Sequence, residues 1–234
     1  MHKLLPLIAL ASMASCSTMH SPTVETSAQY TSQYWFRGAI QNEGGAFQGD
    51  LTVKLKTEQG DTVGLSAWGN MDASNDAGDA PFPDGNGGDF SEIDLIGWYG
   101  TELGAVPVEL GFVNYDFPNG VGSSTTEVFA TAAWPIAAFS LGLAVYYDID
   151  ALEDYYANVA LSHSMVLDGN LSLHTGVSLG AMGEDQAAAY FGTADAGIAD
   201  LNLGVTLNYQ IDAVCSAFFG ATSTSVVSSD YEDA

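Results

Sequence analysis

Residues 200–212 alternate without a break: Leu201, Leu203, Val205, Leu207, Tyr209 and Ile211 on one side, Asn202, Gly204, Thr206, Asn208 and Gln210 on the other. Successive side chains of a pleated strand point to opposite faces, so a strict period of two predicts a β-strand with one apolar and one polar face. The pattern recurs along most of the chain. Residues 139–147 repeat it, with Phe139, Leu141, Leu143, Val145 and Tyr147 against Ser140, Gly142, Ala144, Tyr146 and Asp148. About twelve such segments are predicted, the first over 28–36 and a weak, alanine-rich tenth over 187–197. The class is all-β, and the remaining question is which solvent each face meets.

A soluble β-sandwich alternates too, but its water-facing side is usually rich in Lys and Glu. Here that side is mostly Gly, Ser, Thr, Asn, Ala and Tyr, which suits a packed or narrow lumen. Most segments run ten to thirteen residues, near the 9–11 that cross a bilayer at a tilt and longer than the 5–6 typical of soluble sheets. Aromatics cluster near segment ends, at residues 34–36, 98–99, 115–117, 134, 146–147 and 155–156, where interfacial girdles are expected. Connections alternate between longer, mostly acidic ones (37–46, 72–89, 118–124, 150–153, 183–186) and tight ones (58–60, 102–105, 135–136, 167–170, 198–200). A short connection near Asp212 breaks the alternation. The expected fold is an antiparallel up-and-down transmembrane β-barrel of about twelve strands over residues 26–223, with both termini on the periplasmic side. A lipid-anchored surface or periplasmic β-sheet protein with a binding or structural role is the alternative.

The first residues predict export. An apolar core over 4–13 follows Lys3 and has the length of a signal-peptide core rather than of a spanning helix. Residues 1–15 are assigned as signal peptide. Met13, Ala14 and Ser15 precede Cys16 much as in a lipobox, so Cys16 is the candidate lipidation site, ahead of a tether over 16–25. Cleavage as a conventional signal peptide stays open. Residues 224–234 read as an acidic tail. Cys215 is then the single cysteine of the domain and cannot form an internal disulfide.

At residues 31–41, Ser32, Tyr34, Phe36, Arg37, Gly38 and Gln41, followed by Phe47, Gln48 and Gly49, the chain resembles the TorF-like family of bacterial outer-membrane porins, whose first strand has the form Ser-x-Tyr-x-Phe-Arg-Gly-x-x-Gln. The likeness is close over about forty residues and extends in layout to residue 212. It implies a barrel with a channel-type function and supplies no established substrate or catalytic residue.

The chain carries 29 acidic and 4 basic residues, a net charge of −25, so nucleic acid is a poor partner because phosphate binding needs Lys and Arg. No phosphate loop, dinucleotide fingerprint, nucleophile elbow or HExxH is present, and neither an enzyme activity nor a cofactor is expected. His174 falls on the polar face with no Ser or Asp at a recognisable partner spacing. Alternation puts Lys54, Lys56, Glu92, Asp94, Glu109 and Glu127 on the lumen face. They either neutralise one another across the interior or, since acids outnumber bases, favour cations weakly. Asp72, Asp76, Asp79, Asp84 and Asp89 offer oxygens for calcium, but the EF-hand spacing fails and a solvated loop is the plainer expectation. The expected partners are outer-membrane lipid and small solutes or cations, at the bacterial outer membrane; oligomeric state is not legible.

Overall fold

The computed structural model describes residues 21–75, 87–119 and 123–232. Cys16 and the leader lie outside the described residues, as do Asp76, Asp79 and Asp84 of the calcium set. In chain order the elements are β1 (Thr23–Thr31), β2 (Tyr34–Phe36), β3 (Ala39–Asn42), β4 (Ala46–Lys56), β5 (Thr62–Asp72), β6 (Phe90–Leu103), β7 (Val106–Asp116), β8 (Thr125–Ile136), β9 (Phe139–Asp148), β10 (Tyr155–Asp168), β11 (Leu171–Met182), α1 (Glu184–Phe191), β12 (Gly197–Gln210), β13 (Ser216–Val226) and α2 (Ser229–Glu232). Eleven strands form one antiparallel up-and-down sheet in the order β1-β4-β5-β6-β7-β8-β9-β10-β11-β12-β13, and β2 pairs only with β3.

The two faces of the sheet are inverted relative to a soluble protein. Leu65, Leu95, Leu110 and Leu203 are each more than half exposed, while Asn70, Glu127, Asp148 and Asp200 are at most 2% exposed. Polar side chains satisfy one another across the inner face. Gln29 donates to Gln48 at 2.7 Å, Gln48 to Asn70 at 2.9 Å, and Asn70 to Ser91 at 2.8 Å. Such a ladder removes the cost of burying amides and hydroxyls without partners.

The β2–β3 hairpin shows how the sheet is shaped. Tyr34 bonds Glu92 on β6, Arg37 bonds Glu127 on β8, and the Gly38 backbone lies against Asp200 on β12. In a flat sheet β6 and β12 would stand about 29 Å apart at ~4.8 Å per strand. Residues 34–38 span at most about 17 Å fully extended. The wall therefore curls around the hairpin. β1 and β13, the two ends of the hydrogen-bonded order, line one cavity together with that hairpin.

The connections sort by end. Residues 32–45, 73–89, 117–124, 149–154 and 183–196 join strands at one end; 57–61, 104–105, 137–138, 169–170 and 211–215 join them at the other. The long-loop end thus carries every long connection. This corrects the expected tenth strand, because residues 184–191 form α1 instead. An alanine run suits a helix better than a strand. Asp154 caps it from outside, accepting the N–H groups of Asp185 and Gln186 at 2.9 and 3.0 Å, and Gly192 ends it in the left-handed region at φ 71°. With that strand removed, 211–215 falls at the tight-turn end and the exception near Asp212 disappears. An odd number of wall strands also corrects the placing of the termini: β1 starts at the tight-turn end and β13 finishes at the long-loop end.

The wall extends beyond both expected bounds, from Thr23 to Val226. The segment expected as a tail continues β13 and then forms α2. Tyr231 there is buried, stacks on Phe191 of α1 with ring centroids 4.7 Å apart, and joins Tyr156, Met182, Ala187 and Ala199 in a small apolar cluster.

Two tight turns carry carboxylates held below their usual pKa. Asp212 accepts the backbone N–H groups of Val214 and Cys215, each at 2.8 Å, and Asp61 accepts the Thr101 hydroxyl at 2.6 Å. Hydrogen bonds to the charged form favour it. A depressed folded pKa contributes order that is present above the unfolded value, about 3.9, and is lost as pH falls through the folded one. The Val214 and Cys215 amide resonances are therefore expected to hold their shifts down past pH ~4 and to move together below it. Movement near pH 5 would contradict the bonding.

Candidate functional site

The hairpin that the wall encloses is tight. Phe36 pairs with Ala39, so the turn has two residues, Arg37 and Gly38, both left-handed at φ 52° and 88°. That is the primed geometry favoured by strand twist. Glycine takes it freely, but an arginine there costs roughly 1–2 kcal/mol. The offsetting contact is at the tip. Arg37 is 8% exposed and meets Glu127 as a fork, Nη1 to Oε1 and Nη2 to Oε2, each at 2.6 Å. Two parallel bonds fix direction as well as charge.

Three rings surround the guanidinium, with Tyr156, Phe36 and Tyr146 centroids 4.5, 4.7 and 5.2 Å from its carbon. Such faces attract a cation. Tyr115 donates to Glu127 at 2.9 Å, and Gln186 of α1 accepts from Arg37 at 3.3 Å. Tyr156 donates to Asp200 at 3.0 Å and Asn202 donates to the same carboxylate at 2.6 Å. The β2–β3 hairpin (the finger), α1 and the entries of β6, β8, β10 and β12 thus meet at the long-loop end. Tyr34, Phe36, Tyr115, Tyr146 and Tyr156 belong to this inner cage, which corrects their reading as girdle residues. The outward aromatics at the strand ends are others, including Tyr99, Trp134, Tyr147 and Tyr155.

The six sequence-derived lumen charges do not come together. Glu92, Asp94 and Glu127 lie buried near the long-loop end. Lys54, Lys56 and Glu109 lie toward the tight turns, and Lys54 bonds Glu25 of the neighbouring strand at 2.6 Å, half in solvent. The expected cross-lumen pairing with the lysines is therefore replaced by Arg37–Glu127. Asp148 caps its own loop, accepting the Thr125 hydroxyl at 2.7 Å and the Asp150 and Ala151 N–H groups at 2.9 Å. Of the calcium set, Asp72 takes bonds from Asn70 and Ser91 at 3.1 and 3.0 Å, and the Asp89 carbonyl accepts the Asp72 N–H. Among the described residues no group of three or more His, Cys, Asp or Glu is placed to hold a metal.

His174 does have serine partners that its spacing hid. Ser164 on β10 lies 2.7 Å from Nδ1 and Ser172 3.2 Å from Nε2. Both ring nitrogens face hydroxyls, so the carboxylate that would orient a catalytic imidazole has no place on this ring. Arg37 was visible only as part of the family-like motif. Its role rests on a contact 90 residues away, which strand periodicity does not encode.

A glycine on the inner face keeps this site open. A Cβ at Gly180 would collide with the Asp200 carboxylate and the Tyr156 hydroxyl. Gly180→Ala is expected to cost about 1–3 kcal/mol by overpacking, measured by urea titration of the folded protein. Gly142→Ala, where the nearest atom is 3.8 Å away, is the tolerated control.

No family model matches the chain, and no curated protein matches it.

Proposed function

We propose that the chain is a bacterial outer-membrane β-barrel of porin type, passing small solutes or ions past a hairpin of its own that crosses one mouth. The observation that carries this reading is the inversion of the wall: leucines and valines outward, amides, hydroxyls and carboxylates inward. In water such an outer face is an aggregation surface; in lipid it is the required one, and a sheet closed along β1 and β13 would satisfy its backbone internally. Outward aromatics agree. Phe139 and Tyr147 stand at opposite ends of β9, eight residues or about 27 Å apart along the strand. A tilt of ~40° projects that to about 21 Å, close to the ~25 Å apolar band of known barrels. All eleven wall strands have nine residues or more. The TorF-like resemblance supports the same reading from a separate source, since its motif residues build the finger.

Weak cation preference follows from the same mouth. Glu92, Asp94, Glu127, Asp148 and Asp200 are all buried there with a single arginine. Fixed charges in a low-dielectric pore act on permeating ions more strongly than on a surface. The protein is expected to need detergent, to migrate differently on gels before and after heating, and to give discrete conductance steps in planar bilayers with a reversal potential on the cation side in a KCl gradient. A chain that is monodisperse without detergent overturns the barrel and favours a lipid-anchored β-sheet protein; anion preference removes the selectivity.

A further inference from the structure

A cavity of about 1250 Å³ lies between the two end strands of the wall, bounded by the finger, β1 and consecutive residues of β13 from both of its faces. In a chain with 29 acidic residues, its lining holds one carboxylate, Asp200, and one cation, Arg37. Both are already engaged. Arg37 is forked to Glu127, and Asp200 accepts from Tyr156 and Asn202. The three rings that face Arg37 are engaged as well, so the cage has no vacancy for a second cation. What remains is uncharged. Gln29, Gln33, Thr206 and Thr222 offer amides and hydroxyls, groups that both donate and accept. Trp35 lines the same space, half-buried, its indole N–H reaching Gln33 Oε1 at 3.4 Å.

We propose that this cavity binds an uncharged, hydroxyl-rich ligand of the saccharide class, with Trp35 as the stacking platform. The proposal rests on the channel reading for its role, as the solute held on the way through, but not for the binding itself. A pyranose ring presents an apolar C–H face and a rim of hydroxyls. The indole covers the first, desolvating it without a charge. Hydroxyls of the rim need partners that donate and accept in turn, which amide and hydroxyl side chains supply and lone carboxylates do not. The acidic surroundings act against an anionic sugar, because Glu127, Glu92 and Asp94 lie buried on the neighbouring inner wall. A volume above the usual range for small-molecule sites gives room for more than one ring.

The test is tryptophan fluorescence of the full chain in detergent, titrated with maltotriose, with trigalacturonate as its acidic counterpart. Saturable quenching by maltotriose is expected, with trigalacturonate at least tenfold weaker. Gln33→Ala is expected to weaken maltotriose about tenfold, a loss of one partner pair. Trp35→Ala is read by calorimetry, since it removes the reporter, and is expected to abolish measurable binding; Trp35→Phe is expected to restore part of it. Unchanged heat-modifiable migration shows that each variant is folded. Absence of quenching by maltotriose at 100 mM overturns the proposal, as does equal or tighter binding of trigalacturonate. The channel reading fails separately, by solubility without detergent or by lack of conductance, whatever the titration shows.

Discussion

Arg37→Ala is expected to lower stability by about 3–5 kcal/mol, the cost of leaving a buried carboxylate without its partner. The same change is expected to raise single-channel conductance severalfold, because the finger loses its anchor. Arg37 is the turn residue that carries the finger to β8, and both Glu127 oxygens are taken by its two Nη atoms. Removing it leaves Glu127 with Tyr115 and Gln186 alone. Neither neutralises charge. Arg37→Lys keeps the charge but cannot form two parallel bonds, so it should sit between the two in both readouts. Arg37→Gln combined with Glu127→Gln removes both charges and is expected to recover most of the stability while leaving conductance high. Urea titration and planar-bilayer recordings measure the two effects. An Arg37→Ala protein as stable as the parent, with unchanged conductance, would show that the finger is held elsewhere.

The finger also marks where the sequence was legible and where it was not. Period-two alternation is a local signal, and it found the wall: Leu203, Val205, Leu207 and Tyr209 are exposed, and Asn202, Gly204, Thr206 and Asn208 face the other way. It failed at residues 28–36 because one apolar-alternating run is broken by geometry that alternation does not see. β1 ends at Thr31, and Tyr34–Phe36 turns inward to pair with Ala39–Asn42. It failed again at residues 187–197, where Ala and Tyr satisfy either period. There the deciding element was a cap supplied by Asp154, distant in sequence. Parity put Glu92, Asp94 and Glu127 on the face where they are buried, but it carries no information on height along the strand. Lys54, Lys56 and Glu109 share that parity yet lie toward the tight turns, away from the three buried acids.

That same parity yields the sharpest contrast between two adjacent residues. Val205→Lys is expected to destabilise the folded protein in lipid by about 2–4 kcal/mol, the cost of a lysine at the midplane of a barrel's outer face. Thr206→Lys is expected to cost well under half of that. Val205 is mid-strand on β12, paired with Thr175 on β11 and Ala221 on β13, and is 44% exposed on the outer face. An ammonium there has no water within reach except by bending toward an interface. Thr206 is its neighbour on the strand and lines the inner cavity, where a lysine can extend among amides and toward the acidic mouth. In water the order would reverse, because an exposed lysine on an outer face is harmless. Folding into phosphatidylcholine vesicles, followed by urea titration of each variant, therefore tests the identity of the two solvents more directly than any overall measurement. Equal tolerance at the two positions, or a larger loss at Thr206, would place water on the outer face and remove the membrane from the account.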